Sequence, residues 1–390
     1  MRPITYGIVQ AGENDPDGVP YIRPVDMTDH DGVADVAGLL RTAPSIAQAY
    51  KRSEVQVGDI VISIGPSYGK TMLVGEDLAG ANLTQGTARV AVSYGHDSRY
   101  VRWALRSAVA SASWDAAVGG ATFRALNLEP LGETPIPLWP HHTQRAIADY
   151  LDRETARIDA LIAAKKRMVG LMEERRDARI STLLWSPDCQ PIRLKFLTQL
   201  PTSGNRDHSS FTFTETGIPC LRGLNIRPGS IDRTNLLRLS PEDHLRHAGT
   251  RLRQGDIVVV RSGLAGVAAV IPEDLDDSNC VDLVIIRRTP RILPKYLEYI
   301  INSREAREQV GQHSVGALLT HFNAADAADL LVAFRELSHQ HAVMRHLEHL
   351  EEEHDAMCSR LVRQIGLLQE HRQALITAAV TGQLDLPEAA

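Results

Sequence analysis

Two apolar rhythms alternate along this chain of 390 residues. Over 1–140, and again over 187–337, apolar residues come in short β-branched runs such as VGDIVISI, TARVAV, QGDIVVV and DLVIIR. Runs of that length, punctuated by Gly, Asp and Pro, predict buried strands joined by tight turns. RYVRWALRSAVASAS and PKYLEYIINSREAREQV follow the strands and predict short helices. Each of these regions therefore reads as an α+β globule.

Over 141–186 and 338–382 the rhythm becomes seven-residue. Leu151, Ile158, Leu161, Met168 and Met172 mark it in the first stretch, and Leu347, Leu350, Met357, Leu361, Leu368 and Leu375 in the second. Pro140 precedes the first stretch, Pro187 stops it, and Gly382 ends the second. Two helices of about 40 residues, roughly 60 Å each, are expected to pair with one another. Glu154, Lys165, His354 and Gln364 interrupt the seams. Neither helix is thus a self-sufficient coiled coil, and helices of other chains are expected to complete the packing.

The chain is also written twice. GVPYIRPVDM (18–27) matches GIPCLRGLNI (217–226), and GDIVISIGPSYGKTMLVGEDLAGAN (58–82) matches GDIVVVRSGLAGVAAVIPEDLDDSN (255–279) without a gap, with nine identities in 25 positions. FRALN (123–127) matches 319–323, and EERRDARIS (173–181) matches QEHRQALIT (369–377). A two-fold repeat with a period near 197 residues is far too long for a solenoid. The copies differ at their openings: the second carries IRLKFLTQLPTSG and more before GIPCLRG, whereas the first has 17 residues before Gly18. Either the start lies upstream, or the first module is trimmed and the tail VTGQLDL packs beside it.

Repetition settles the one motif that suggests nucleotide chemistry. GPSYGKT (65–71) follows a strand-like run, but a phosphate loop needs Gly at position 64, which is Ile64. Gly69 has a counterpart in Gly266, while Lys70 and Thr71 align with Val267 and Ala268. The common feature is a turn glycine. His346 and His349 have loose metal-ligand spacing with no second pair to complete a site. The four cysteines lack CxxC spacing, which predicts reduced, mostly buried thiols. Neither a Ser/His/Asp order nor a methyltransferase loop of the Asn-Pro-Pro-Tyr kind is present.

Net charge is −6, which excludes a broadly basic coat. It divides as −4 over 1–140, +2 over 141–186, 0 over 187–337 and −4 over 338–390. A polyanion would have to meet local patches. Candidate contacts are the matched Arg23 and Arg222, Lys70 and Arg261 beside the turn glycines, and Arg246, Arg251 and Arg253. Thr122, Arg124 and Thr320 join them from the loops GGATFRALN and GALLTHFN. Loop arginines anchor phosphates or reach guanine edges. No apolar run approaches a membrane span, and MRPITYGIVQ has no apolar core of a secretory signal, so a cytoplasmic protein is expected.

As a whole the pattern resembles the specificity (S) subunits of type I restriction–modification systems. The resemblance is carried by GVPYIRPVD and GIPCLRGLN, the paired GDIV segments, GGATFRALN leading into IPLWP, QRAIADYLDRETARIDALIAAKKRMVGLMEERR, and the closing QALITAAVTGQLDL. It implies an α+β fold with target-recognition domains at 1–140 and 187–337, long antiparallel spacer helices at 141–186 and 338–382, and a tail at 383–390. Each domain would read one half of a bipartite, asymmetric site in double-stranded DNA. The spacer, through Leu151, Ile158, Leu161, Met168, Met172, Leu347, Leu350, Met357, Leu361 and Leu368, would dock two modification (methyltransferase) subunits. Those partners would carry S-adenosylmethionine and methylate adenine, with restriction (motor-nuclease) subunits as optional members. No catalysis and no cofactor are implied for this chain. Two other readings stay open here: a stand-alone coiled-coil DNA-binding or scaffold protein without a methyltransferase partner, and an enzyme.

Overall fold

In a computed structural model the chain forms two compact units, Met1–Lys166 with Leu361–Ala390, and Arg167–Arg360. The structure describes residues 2–65, 67–119, 125–204, 211–312 and 321–384. Each unit contains one strand-rich module and parts of two long helices.

In the first module, strand Ile60–Ser63 pairs antiparallel with both Thr71–Leu73 and Thr87–Val90, and Thr5–Tyr6 adds to the far side of the latter. The GDIV run lacks polar alternation because its strand is covered on both faces. Ile60 and Ile62 pack with Ala88, Leu105 and Trp114, while Val61 packs with Ile22, Met72 and Leu83. A second sheet places Val19–Ile22 between Arg41–Thr42, antiparallel, and Asn82–Leu83, parallel.

The second module repeats this plan strand for strand. Ile257–Val260 lies between Ala268–Val270 and Leu283–Ile286, with Thr202–Ser203 beyond. Phe213–Leu221 lies between Leu237–Leu239, antiparallel, and Asn279–Cys280, parallel. Ile257 and Val259 face Tyr296 and Leu297, and Val258 and Val260 face Leu221 and Ile226. The strands on either side of the first motif, Ile60–Ser63 and Thr71–Leu73, pair antiparallel as a hairpin, and so do Ile257–Val260 and Ala268–Val270 around its counterpart. Gly69 and Gly266 sit at φ +97° and +87°, where a side chain is strained, and donate to the Ser63 and Val260 carbonyls at 3.0 and 2.9 Å.

Buried polar groups repeat as faithfully as the strands. The GDIV aspartates are buried and accept the backbone N–H three residues earlier: Gln56 to Asp59 at 2.8 Å, Arg253 to Asp256 at 2.9 Å. The Ser53 hydroxyl donates to the Asn82 side-chain oxygen, and the Thr250 hydroxyl to that of Asn279. The Tyr100 and Tyr296 phenols donate to the Pro137 and Ala333 carbonyls at 2.6 and 2.9 Å, and burial pushes both up to about 12.

The copies part at their margins. Only the second module adds the described pair Gln190–Arg193 with Leu331–Phe334, braced by Arg193 and Lys195 on Asp329 at 2.7 Å each. In the first module the matched stretch, IPLWP, forms no described strand, and Leu138 is exposed. Leu384 packs against the core that contains Tyr100, Trp103 and Ile147; the tail beyond it lies outside the described residues.

The long helices are His141–Leu184 and Leu337–Val380, of 44 residues each. Within the first unit the Trp139 indole donates to the Val380 carbonyl, the Arg372 guanidinium holds Asp159, and the Lys165 ammonium donates to Gln364. Partners rise along one helix as they fall along the other, so the pairing is antiparallel. Two residues that interrupt the seams, Lys165 and Gln364, meet at 2.6 Å. In the second unit Arg335 replaces Trp139 and donates to the Leu183 and Leu184 carbonyls and the Ser186 hydroxyl, while Arg176 lies 3.9 Å from Glu351. Each helix end is thus capped by the side chain that precedes the other helix. The second helix closes with Gly382 at φ +73° and Gln383 N–H donating to the Ala378 carbonyl, the geometry of a glycine-terminated helix.

Seven of the ten spacer residues expected to dock partners need correction or refinement. Leu151, Ile158, Leu347, Leu350 and Leu361 are buried inside the chain and build its own core. Met172 and Leu368 are half-buried. The first seam advances from Ile158 to Ile162, four residues on, which turns Leu161 outward. Leu161, Met168 and Met357 are 48%, 51% and 50% exposed.

Candidate nucleic-acid interface

The two modules are tied to the long helices by one device. Gln144 and Gln340 are buried just inside the helix starts. Gln144 accepts the Asp97 N–H at 2.9 Å and donates to the Trp139 carbonyl at 2.7 Å. Gln340 accepts the Leu293 N–H at 2.8 Å and donates to the Arg335 and Arg291 carbonyls at 2.7 and 3.1 Å. The side-chain amide suits this place because it satisfies a donor and an acceptor at once. Short helices Ser98–Leu105 and Pro294–Asn302 are thereby fixed to the rods, and the sheets they cover follow.

On this frame, one edge of each module gathers the hairpin turn and the loop that leads towards the long helix. The Leu126 N–H donates to the Ile64 carbonyl at 2.9 Å, and the Phe322 N–H to the Arg261 carbonyl at 2.8 Å. In the second module Ser262 also meets His321 Nδ1 at 3.0 Å. Thr122, Arg124 and Thr320, expected on these loops, lie outside the described residues.

Five of the seven expected DNA contacts among the described residues are held by acids of their own module. Arg23 grips Asp26 through Nε at 2.9 Å and Nη2 at 2.7 Å, a hydrogen bond that holds its guanidinium above the ordinary range. Its backbone N–H also donates to Asp26, as that of Arg222 does to Asn225, which explains the RPVD and RGLN match as a turn. The Arg222 guanidinium donates to the Asn235 carbonyl at 3.2 Å. Lys70 lies 3.1 Å from Asp29 and donates to the Met27 carbonyl. Arg246 pairs with Glu242 and Asp243, and Arg261 with Asp282 at 2.9 Å. Arg251 pairs with Asp277, whose carboxyl that hydrogen bond holds below the ordinary range. Arg253 is exposed and makes no ion pair among the described residues. The three arginines close in sequence do not form one cluster: Arg251 and Arg253 share a cleft of about 530 Å³ with Arg287 and Arg288, and Arg246 is not among its lining residues.

The modules also differ where they meet their rods. In the first, Arg102 binds Asp31, Arg106 donates to the Asp29 and His30 carbonyls, and His30 faces Asp159 at 3.2 Å. Burial, with Arg372 and Arg102 nearby, pulls the Arg106 guanidinium down to about 10. The matched place in the second module is an open cleft of about 420 Å³ lined by Arg176, Lys295, Tyr299, Asn302, Arg307 and Glu351, among others.

Sequence reasoning missed Gln144 and Gln340, although QRAI and QHAV stand 196 residues apart and could have revealed them. It also missed Arg287, Arg288 and the exposed Leu171 and Leu367, which are themselves 196 residues apart. Among the described residues no three His, Cys, Asp or Glu side chains converge as metal ligands would, and no helix is long and apolar enough to cross a membrane. Burial pushes the Cys220 thiol up to about 12, and all four cysteines are free.

A solved chain from work on complex assembly and conformational transition of the type I R-M system superposes with a TM-score of 0.72, over 98% of this chain and 98% of that one, at 14% identity. The HsdS subunit of Thermoanaerobacter tengcongensis superposes at 0.51, over 94% of this chain and 91% of that one, at 15% identity. The fold is that of the type I specificity subunits. In sequence, the chain is 35% identical over 94 residues to the type I restriction enzyme EcoBI specificity subunit of Escherichia coli. That stretch is 24% of this chain and spans 19% of the relative's length. No family model matches the chain.

Proposed function

We propose that this chain is the DNA-specificity subunit of a type I restriction–modification complex. Each module reads one half of a bipartite, asymmetric site, and the bases between the halves go unread. The observation that carries this reading is the pair of modules with one strand order and one buried glutamine latch but different residues at matched exposed edges. A shared frame with unlike edges is what two different half-sites require.

The long helices are proposed to dock two modification subunits. Leu161 and Met357, like Leu171 and Leu367, stand 196 residues apart and are all about half exposed or more, so each unit offers an equivalent apolar place. Two copies of one partner fit two equivalent places. Methylation and its S-adenosylmethionine are assigned to those partners, cleavage to restriction subunits where present, and no chemical step to this chain. A cytoplasmic location follows from that role. With a net charge of −6, the chain is expected to leave much of the phosphate neutralisation to its partners.

Mapping N6-methyladenine across the genome of cells with and without this chain tests the proposal. A bipartite motif should be methylated only when the chain is present. An unchanged methylation map, with the chain purifying free of any methyltransferase, supports the stand-alone scaffold instead.

A further inference from the structure

The cleft of Arg251, Arg253, Arg287 and Arg288 belongs to the second module alone. Four guanidiniums there face two carboxylates, Asp256 and Asp277. Asp256 is already committed: it accepts the Arg253 N–H at 2.9 Å, the Arg288 N–H at 3.1 Å and Arg287 Nη1 at 2.6 Å. Asp277 is committed to Arg251 and faces His244 at 3.5 Å. Arg253 and Arg288 are left exposed and without an ion pair among the described residues. Their backbones are fixed by the same buried carboxylate, so both side chains start from a rigid base.

The matched positions in the first module are Glu54, Gln56, Ala91 and Val92, and the matched aspartate, Asp59, is paired by Arg2. The corresponding charge is +2 in the second module, whereas in the first Arg2 and Arg89, the latter in the place of Arg287, balance Glu54 and Asp59 to 0. An excess of like charge confined to one cleft is unfavourable unless an anion shares it.

We infer that this cleft is a phosphate-binding site, with Arg253 and Arg288 as its principal ligands, that grips the DNA backbone at the second half-site only. The inference rests on the DNA-reading role proposed above and adds an asymmetry to it: one module anchors the duplex more firmly than the other.

The test measures the binding of the full chain to a random-sequence duplex across a salt series, and to inorganic pyrophosphate. The double variant Arg253→Gln, Arg288→Val installs the first module's residues. Losing the one phosphate that both guanidiniums hold should flatten the slope of log affinity against log salt by about 0.9 and weaken binding about tenfold at low salt. Arg345→Gln with Arg360→Gln, an equal charge change on the long helix, should leave the slope unchanged. If the wild-type chain binds duplex and both double variants flatten the slope equally, or neither does, the cleft is overturned while the DNA reading survives. Binding of pyrophosphate that needs Arg253 and Arg288, with no duplex binding, moves the source to a free phosphate and overturns the DNA assignment. A wild-type chain that binds neither probe overturns the site altogether.

Discussion

In the first module the guanidinium behind the GDIV turn comes from Arg89, which donates to the Arg52 and Glu54 carbonyls at 2.7 and 3.1 Å. In the second it comes from Arg287, which donates to the Gly249 and Arg251 carbonyls at 3.2 and 2.7 Å. Those acceptors are matched residue for residue. The donors are not: Arg287 stands two places further along the matched strand, on the same face because side chains alternate. The two modules therefore preserve a hydrogen-bonding job while moving the residue that performs it. What they do not preserve is the exposed surface. The first module folds a segment around Asp29–Asp31 over its helix junction, where the second is open, and the second carries an arginine cleft where the first has Gln56 and Val92. Satisfying buried polar groups constrains the frame, because an unpaired one is costly. Nothing comparable constrains the edges, which are free to differ.

The largest effects should come from matched core positions. Leu151→Ala and Leu347→Ala remove fully buried side chains and should each cost about 2–5 kcal/mol in a denaturant melt. Leu161→Ala and Met357→Ala, on the exposed faces of the same helices, should stay within about 0.5 kcal/mol. A large loss from either exposed variant would mean that the seam runs where the seven-residue rhythm alone puts it.

Gln144→Ala and Gln340→Ala come next. Each strands a buried N–H and at least one carbonyl, at about 1–3 kcal/mol per group. Similar losses are expected in the two modules; a neutral result in one would break the equivalence of the latches.

Acid provides a smaller, second-module signal. Backbone hydrogen bonding to Thr212 holds the Asp243 carboxyl below the ordinary range, and Arg251 and Lys195 do the same for Asp277 and Asp329. Carboxyls depressed in the folded state contribute stability above their unfolded value near 4 and lose it as pH falls through the folded value. Melting temperature should therefore drop below about pH 4, and Asp277→Asn should flatten that drop while slightly lowering stability at neutral pH. An unchanged acid profile in that variant would remove Asp277 from the account.

Much of the frame was legible in the residues. Continuous runs such as IVIS and IVVV read as strands because both faces are buried, and the long helices read from their rhythm and their flanking Pro and Gly. The rhythm could not say which apolar residues face inward. A seam that steps four residues from Ile158 to Ile162 leaves Leu161 outside, and only the partner helix reveals that choice. The interface was less legible. Lys70, Arg251 and Arg261 read as free cations because their acids lie in other turns, whereas the acids of Arg23 and Arg246 stand three or four residues away and could have been found from that spacing. Arg287 escaped the repeat alignment because its counterpart sits two residues away along the strand. Gln144 and Gln340 escaped because a polar residue at a helix start looks like solvated surface.

Exchanging residues 1–140 for the corresponding module of a type I specificity subunit, and then mapping methyladenine in cells, tests the proposed two-reader role most directly. Half of the bipartite motif should change and the other half should stay as it was. A motif that changes in both halves, or one with no unread gap, would contradict the account.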